Sequence, residues 1–159
     1  MNFDELLQPQ RLVMQQDGDT FHFIDAESPQ FKIVVQFPTT KFVQPDGGYF
    51  KFVFSQPSFH KHYMQLQENI KRFAWDEFEL KYDYDLEPRF RFDTHACSYF
   101  HHAGIDHQWT PEDRYVVPMV AIHGLNRVSD TLRLDMQVVQ LKFYESVPIL
   151  PDLSVSLFT

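Results

Sequence analysis

The stretch from Thr131 to Glu145 constrains the fold more than any other part of the chain. It alternates apolar and polar residues as a β-strand does, with Leu132, Leu134, Met136 and Val138 on one face. At Val138–Val139 the parity changes, and Val139, Leu141 and Phe143 carry the apolar pattern onward. Such a switch means either a β-bulge or a strand that changes which face it buries. Fully extended, the stretch would span about 50 Å at ~3.3 Å per residue, too long to stay flat in a small domain. It must coil around a small barrel or cross between two packed sheets.

The strand before it runs over Tyr115–His123, with Pro118 near its start, and Gly124–Asp130 reads as the connection. The first third of the chain also reads as strands. Arg11–Gln16 and Thr20–Asp25 flank a turn at Asp17-Gly18-Asp19, and Phe31–Phe37 is a β-branched run closed by Pro38. Lys41–Gln44 and Tyr49–Phe54 flank Pro45-Asp46-Gly47-Gly48, a second hairpin signal. Phe50, Phe52 and Phe54 then share one face, and Tyr49, Lys51 and Val53 the other. From Ser58, a plausible N-cap, the period changes: Phe59, Tyr63, Leu66, Ile70 and Phe73 form one stripe of an amphipathic helix. Phe78 and Leu80 fit either an extension of that helix or a new strand. Arg89-Phe90-Arg91-Phe92 alternates, with both rings on one face and both guanidinium groups on the other. Thr94–Asp113 reads mostly as loop.

With 17 Phe, 7 Tyr and 2 Trp, the chain has ample apolar area for one core, which excludes intrinsic disorder. The length of 159 residues fits a single domain over 1–159, with 147–159 as a C-terminal tail packed on the body. Cys97 is the only cysteine, so a disulfide-stapled secreted fold is excluded. The acidic start Met1-Asn2-Phe3-Asp4-Glu5 lacks the apolar run of a signal peptide, and no apolar stretch is long enough for a membrane helix. The expected setting is intracellular, without membrane contact. The net charge of −8 hides a basic middle: residues 31–72 carry Lys32, Lys41, Lys51, Lys61, Lys71 and Arg72 against Asp46 and Glu68 only. That segment is either ordinary surface variation or a track for a polyanion.

His95, Cys97, His101, His102 and His107 are ligand types that zinc accepts, but no CxxC pair or strong metal spacing accompanies them. A loop with exposed histidines is the simpler reading, and no metal or other cofactor is expected. Asp83, Asp85 and Glu87 alternate, so an extended chain aims all three carboxylates one way, as a Mg²⁺ nuclease would need or as a solvated strand face would show. No Gly-rich phosphate loop or nucleophile elbow is present, and the expectation is a non-enzymatic protein. The remaining signal is the interleaving of rings and cations. Cations track phosphates and exposed rings stack on bases when single-stranded nucleic acid is held. Tyr49, Tyr82, Tyr84 and Phe90 are the rings expected to be exposed.

The run Val117-Pro118-Met119-Val120-Ala121-Ile122-His123-Gly124-Leu125, a polar turn, and Val138-Val139-Gln140-Leu141-Lys142-Phe143-Tyr144 are similar to the closing hairpin of one family. They resemble that hairpin, here 115–145, in OB-fold single-stranded DNA-binding proteins of phages and large DNA viruses. The resemblance covers about 30 of 159 residues. It implies a mainly β fold with one amphipathic helix, built as an OB-like Greek-key β-barrel, and a role in viral or phage DNA replication or recombination. It also implies replication proteins as partners and self-association, although the chain ends in Ser154–Thr159 rather than in that family's acidic tail. On this reading Lys51, Arg89, Arg91, Arg127 and Lys142 contact phosphate, Tyr49 and Phe90 stack on bases, and Trp75 and Trp109 report binding by fluorescence. The alternative is a viral structural or interaction protein with a β-sandwich fold; a nuclease is the weaker third.

Overall fold

A computed structural model describes residues 11–30, 32–41, 47–51, 57–83, 89–93, 95–101 and 115–144, although not the side chains of residues 41, 51, 57–59, 100 and 101. The expected tail 147–159 lies outside the described residues, as do Phe52, Phe54, Tyr84, Asp85, Glu87, His102, His107 and Trp109.

The described chain is mainly β with one helix. Two long strands, β9 (Tyr115–Val128) and β10 (Thr131–Tyr144), form a central antiparallel hairpin. Its turn is only Ser129–Asp130, with Ser129 at φ 60°. The expected connection at Gly124–Asp130 is therefore mostly strand, because Leu125 belongs to the core and Gly124–Val128 all find partners in β10. Two residues fall out of the ladder. His123 is left between the pairs Asp135↔Gly124 and Met136↔Ile122, and Val139 between Val138↔Val120 and Gln140↔Met119. The parity switch at Val138–Val139 is thus a β-bulge. It lets Met136, Val138, Leu141 and Phe143 all reach the same core.

Each long strand carries a relay of short strands on its outer edge. Along β9 run β2 (Thr20–Asp25), β3 (Val34–Gln36) and β4 (Thr40–Lys41), all antiparallel. Along β10 run β6 (Lys81–Tyr82), β7 (Arg89–Arg91) and β8 (Ser98–His101), all parallel. Strand β8 lies inside the segment expected to be loop; its backbone groups are satisfied by a distant partner that local composition does not announce. β1 (Leu12–Asp17) pairs with β2 across the turn Gly18–Asp19, as expected. Gly18 takes φ 62° at the first central position, where a two-residue hairpin turn needs a positive φ. β5 (Tyr49–Lys51) pairs with β7. Most of the expected hairpin around Pro45–Gly48 lies outside the described residues, at 42–46 and 52–54; of its described ends, Lys41 pairs with β9 and Tyr49–Lys51 with β7.

The result is one mixed sheet in the order β1-β2-β9-β10-β7-β5. Its path is open, so the pairing that would close a barrel is not among the described ones, and neither is a second, facing sheet.

Helix α1 (Pro57–Phe78) covers one face of the sheet. Tyr63, Leu66 and Ile70 of the expected stripe are buried; Ala74 rather than Phe73 completes it, Phe73 being half-buried, and the side chain of Phe59 lies outside the described residues. The buried members pack with Phe21, Val35, Phe37, Phe50, Phe90, Ile122 and Leu125. Phe78 resolves as the last helical residue, its ring 4.7 Å from Phe21. Glu79, at φ 55°, turns the chain out, and the N–H groups of Glu79 and Leu80 donate to the carbonyls of Trp75 and Ala74. Among the described residues no helix is long and apolar enough to cross a membrane.

Candidate nucleic-acid interface

Strand pairing decides which side chains share the sheet face away from α1. Phe50 lies opposite Phe90 in the core, so their neighbours Tyr49, Arg91 and Arg89 stand on the outer face. Arg91 is in register with Gln137 of β10, whose neighbours Met136 and Val138 are buried. Asp135 and Arg133 therefore continue the same outer row. Together with Asn126 and Val128 of β9 and Asp83 after β6, these residues line a groove of about 390 Å³. That size lies within the range of small-ligand sites.

Tyr49 is 41% exposed, a state it shares with Trp75 among the described Phe, Tyr and Trp rings. The Arg89 guanidinium carbon lies 4.7 Å from its ring centroid, a cation–π contact between diagonal neighbours on paired strands. Arg91 Nε and Nη2 donate to Asp135 Oδ1 and Oδ2 at 2.7 and 3.0 Å. Arg133 Nε lies 3.2 Å from Asp83 Oδ2. The groove holds three guanidinium groups and two carboxylates, so its lining is net positive in a chain of charge −8.

The expected site residues divide accordingly. Tyr49, Arg89 and Arg91 come together in the groove. Lys51 is opposite Arg89 in register, and its side chain lies outside the described residues. Phe90 requires correction: it is 0% exposed, with its ring 5.2 Å from Phe37 in an edge-on contact, and it cannot stack on a base. The alternation of 89–92 was legible, but Phe90 takes the core side. Tyr82, also expected to be exposed, is buried and donates its hydroxyl to Gln67 Oε1 at 3.1 Å. Arg127 is in register with the buried Leu132, hence on the helix side of the sheet, and its Nε donates to the Ser129 carbonyl at 2.8 Å. Lys142 is on the groove side but seven residues beyond Asp135, roughly 20 Å along the strand, with Nζ 5.8 Å from the Tyr144 ring centroid. Arg133, Asn126, Asp83 and Asp135 were not anticipated as groove residues. For Arg133 and Asp135 the signal was present, since they alternate with Leu132, Leu134 and Met136.

The metal and nuclease readings gain no geometry. Among the described residues no group of three or more His, Cys, Asp or Glu side chains converges on a metal position. Cys97 is buried, and desolvation pushes its thiol up to about 12. The exposed His95 receives a local turn contact, its backbone N–H donating to Asp93 Oδ1 at 2.9 Å. Asp83 is engaged by Arg133, while Asp85 and Glu87 lie outside the described residues.

No family model, curated protein or solved structure matches this chain.

Proposed function

We propose that this protein binds single-stranded nucleic acid, with single-stranded DNA as the leading ligand, along the groove of Tyr49, Arg89, Arg91 and Arg133. The observation that carries the reading is Tyr49: a half-exposed ring held beside a guanidinium, within a groove that has two more arginines. An exposed ring offers a stacking platform worth ~1–3 kcal/mol per base, and the neighbouring cations suit phosphate. Lys142, further along the same face, extends the track to a second phosphate contact. The finer parts of the proposal rest on the sequence resemblance over 115–145: an OB-type barrel, a viral or phage replication setting, replication proteins as partners, and self-association.

Binding is tested by the anisotropy of fluorescein-labelled oligo-dT, compared with duplex DNA, at about 50 and 200 mM salt, a range over which phosphate contacts weaken steeply. Trp75 is a poor intrinsic reporter, because it sits exposed on α1 and so on the far side of the sheet. Affinity for oligo-dT that falls with salt and exceeds duplex affinity is the expected result. Absence of binding at the lower salt overturns the proposal.

A further inference from the structure

The groove's arginines are already held. Both arms of Arg91 meet both oxygens of Asp135, and Arg133 meets Asp83. A carboxylate gripped by a guanidinium fork uses the same planar, bidentate geometry that Arg offers phosphate. We infer that Asp135 and Asp83 are resident competitors, which occupy the phosphate-binding arms of Arg91 and Arg133 until a polyanion displaces them. The inference rests on the nucleic-acid reading of the groove and deepens it by naming what sets its affinity and selects its ligand.

The exposures fit an exchangeable pairing. Asp135 is 17% exposed and Arg91 49%, so the carboxylate is held by the sheet while the guanidinium remains open to a ligand. Both members of the Arg133–Asp83 pair are exposed, which makes it the weaker hold. The ligand class follows from the exchange. A lone phosphate replaces a carboxylate at one guanidinium and gains no pairing. An oligonucleotide brings successive phosphates, releases counterions at each, and adds stacking on Tyr49. The groove therefore favours oligonucleotides over mononucleotides and inorganic phosphate.

Labelled oligo-dT is titrated against wild type, Asp135→Asn, Asp83→Asn and the control Asp130→Asn, across about 50 to 200 mM salt. Asp130 is an acid at the β9–β10 turn, bonded by Thr131 rather than by a groove arginine. Asp135→Asn is expected to tighten binding about two- to fivefold, the range set by an exposed ion pair. It should also steepen the log–log salt slope by about 0.7, the increment for one added phosphate contact on a single strand. Asp83→Asn should act in the same direction through Arg133, and it carries the test even if loss of Asp135 loosens β7 from β10. Asp130→Asn should leave the slope unchanged. Equal tightening in all three variants at constant slope would mean that the acids act through net charge alone. That result overturns the inference, while wild-type binding would still uphold the groove reading. Silence of the wild type at the lower salt overturns the groove reading and this inference with it.

Discussion

Arg11 grips Asp25 across the open end of the first hairpin, with Nε 2.7 Å from Oδ1 and Nη2 3.1 Å from Oδ2. The backbone N–H of Glu27 also donates to Oδ1, at 3.0 Å. The Arg11 guanidinium holds the Asp25 carboxyl below its usual range, against burial, which pushes it upward. A carboxyl whose folded pKa is depressed stabilises the fold above its unfolded value near ~3.9, and that contribution is lost as pH falls through the folded pKa. Asp25→Asn should therefore lower stability at pH 7 by roughly 1–3 kcal/mol, through the lost charged hydrogen bonds. Urea unfolding from pH 7 down to pH 2 would show the gap between variant and wild type closing in the acid limb.

Gly124 lets β9 lie close against β2 at Phe21. It has φ 151°, and a Cβ there would overlap the Phe21 carbonyl oxygen, which belongs to a neighbouring strand and cannot step aside. Gly124→Ala should cost roughly 3 kcal/mol or more, combining backbone strain and overpacking. Gly18, at φ 62° with open space where a Cβ would stand, gives the comparison. Gly18→Ala there should cost only about 1–2 kcal/mol, the penalty for a left-handed residue. Chemical denaturation midpoints of the two variants measure the difference.

Burial also sets the chemistry of Cys97. With its thiol pushed up to about 12, almost none is thiolate at pH 8. A thiol reagent should modify the native protein on the order of tenfold or more slowly than the urea-unfolded chain. Equal rates with and without denaturant would contradict the burial.

Tyr49 and Phe90 separate stability from binding on adjacent strands. Phe90→Ala removes a fully buried ring and should destabilise by about 3–5 kcal/mol. Tyr49→Ala removes a ring that is 41% exposed and should change stability far less, while weakening oligonucleotide binding by ~1–3 kcal/mol. Melting temperatures and anisotropy titrations on the same two proteins check both halves.

The contrast between these residues also marks where the sequence stops being legible. Periodicity exposed the α1 stripe, the Asp17–Asp19 turn and the alternation of 89–92, because each is a local pattern. It could not say that Phe90 meets Phe37, since that contact joins β7 to the residue just after β3, and the pairings of those two strands run through β10 and β9. The groove was hidden for the same reason. Arg91 and Asp135 are 44 residues apart and meet only because β7 lies parallel to β10. Parallel pairing leaves no turn signature between its partners.

The Val139 bulge makes a prediction that runs against the usual expectation for deletions inside a central strand. Val139 is the residue of β10 without an opposite number, lying between Val138↔Val120 and Gln140↔Met119. Its removal leaves Val138, Leu141 and Phe143 on the core face and restores a regular ladder, at the loss of local bend. The Val139 deletion should therefore still unfold cooperatively, with a midpoint lowered by the lost bend. A urea titration followed by circular dichroism makes the measurement. Loss of the cooperative transition would show that the bend, rather than the parity, is what β10 needs from the bulge.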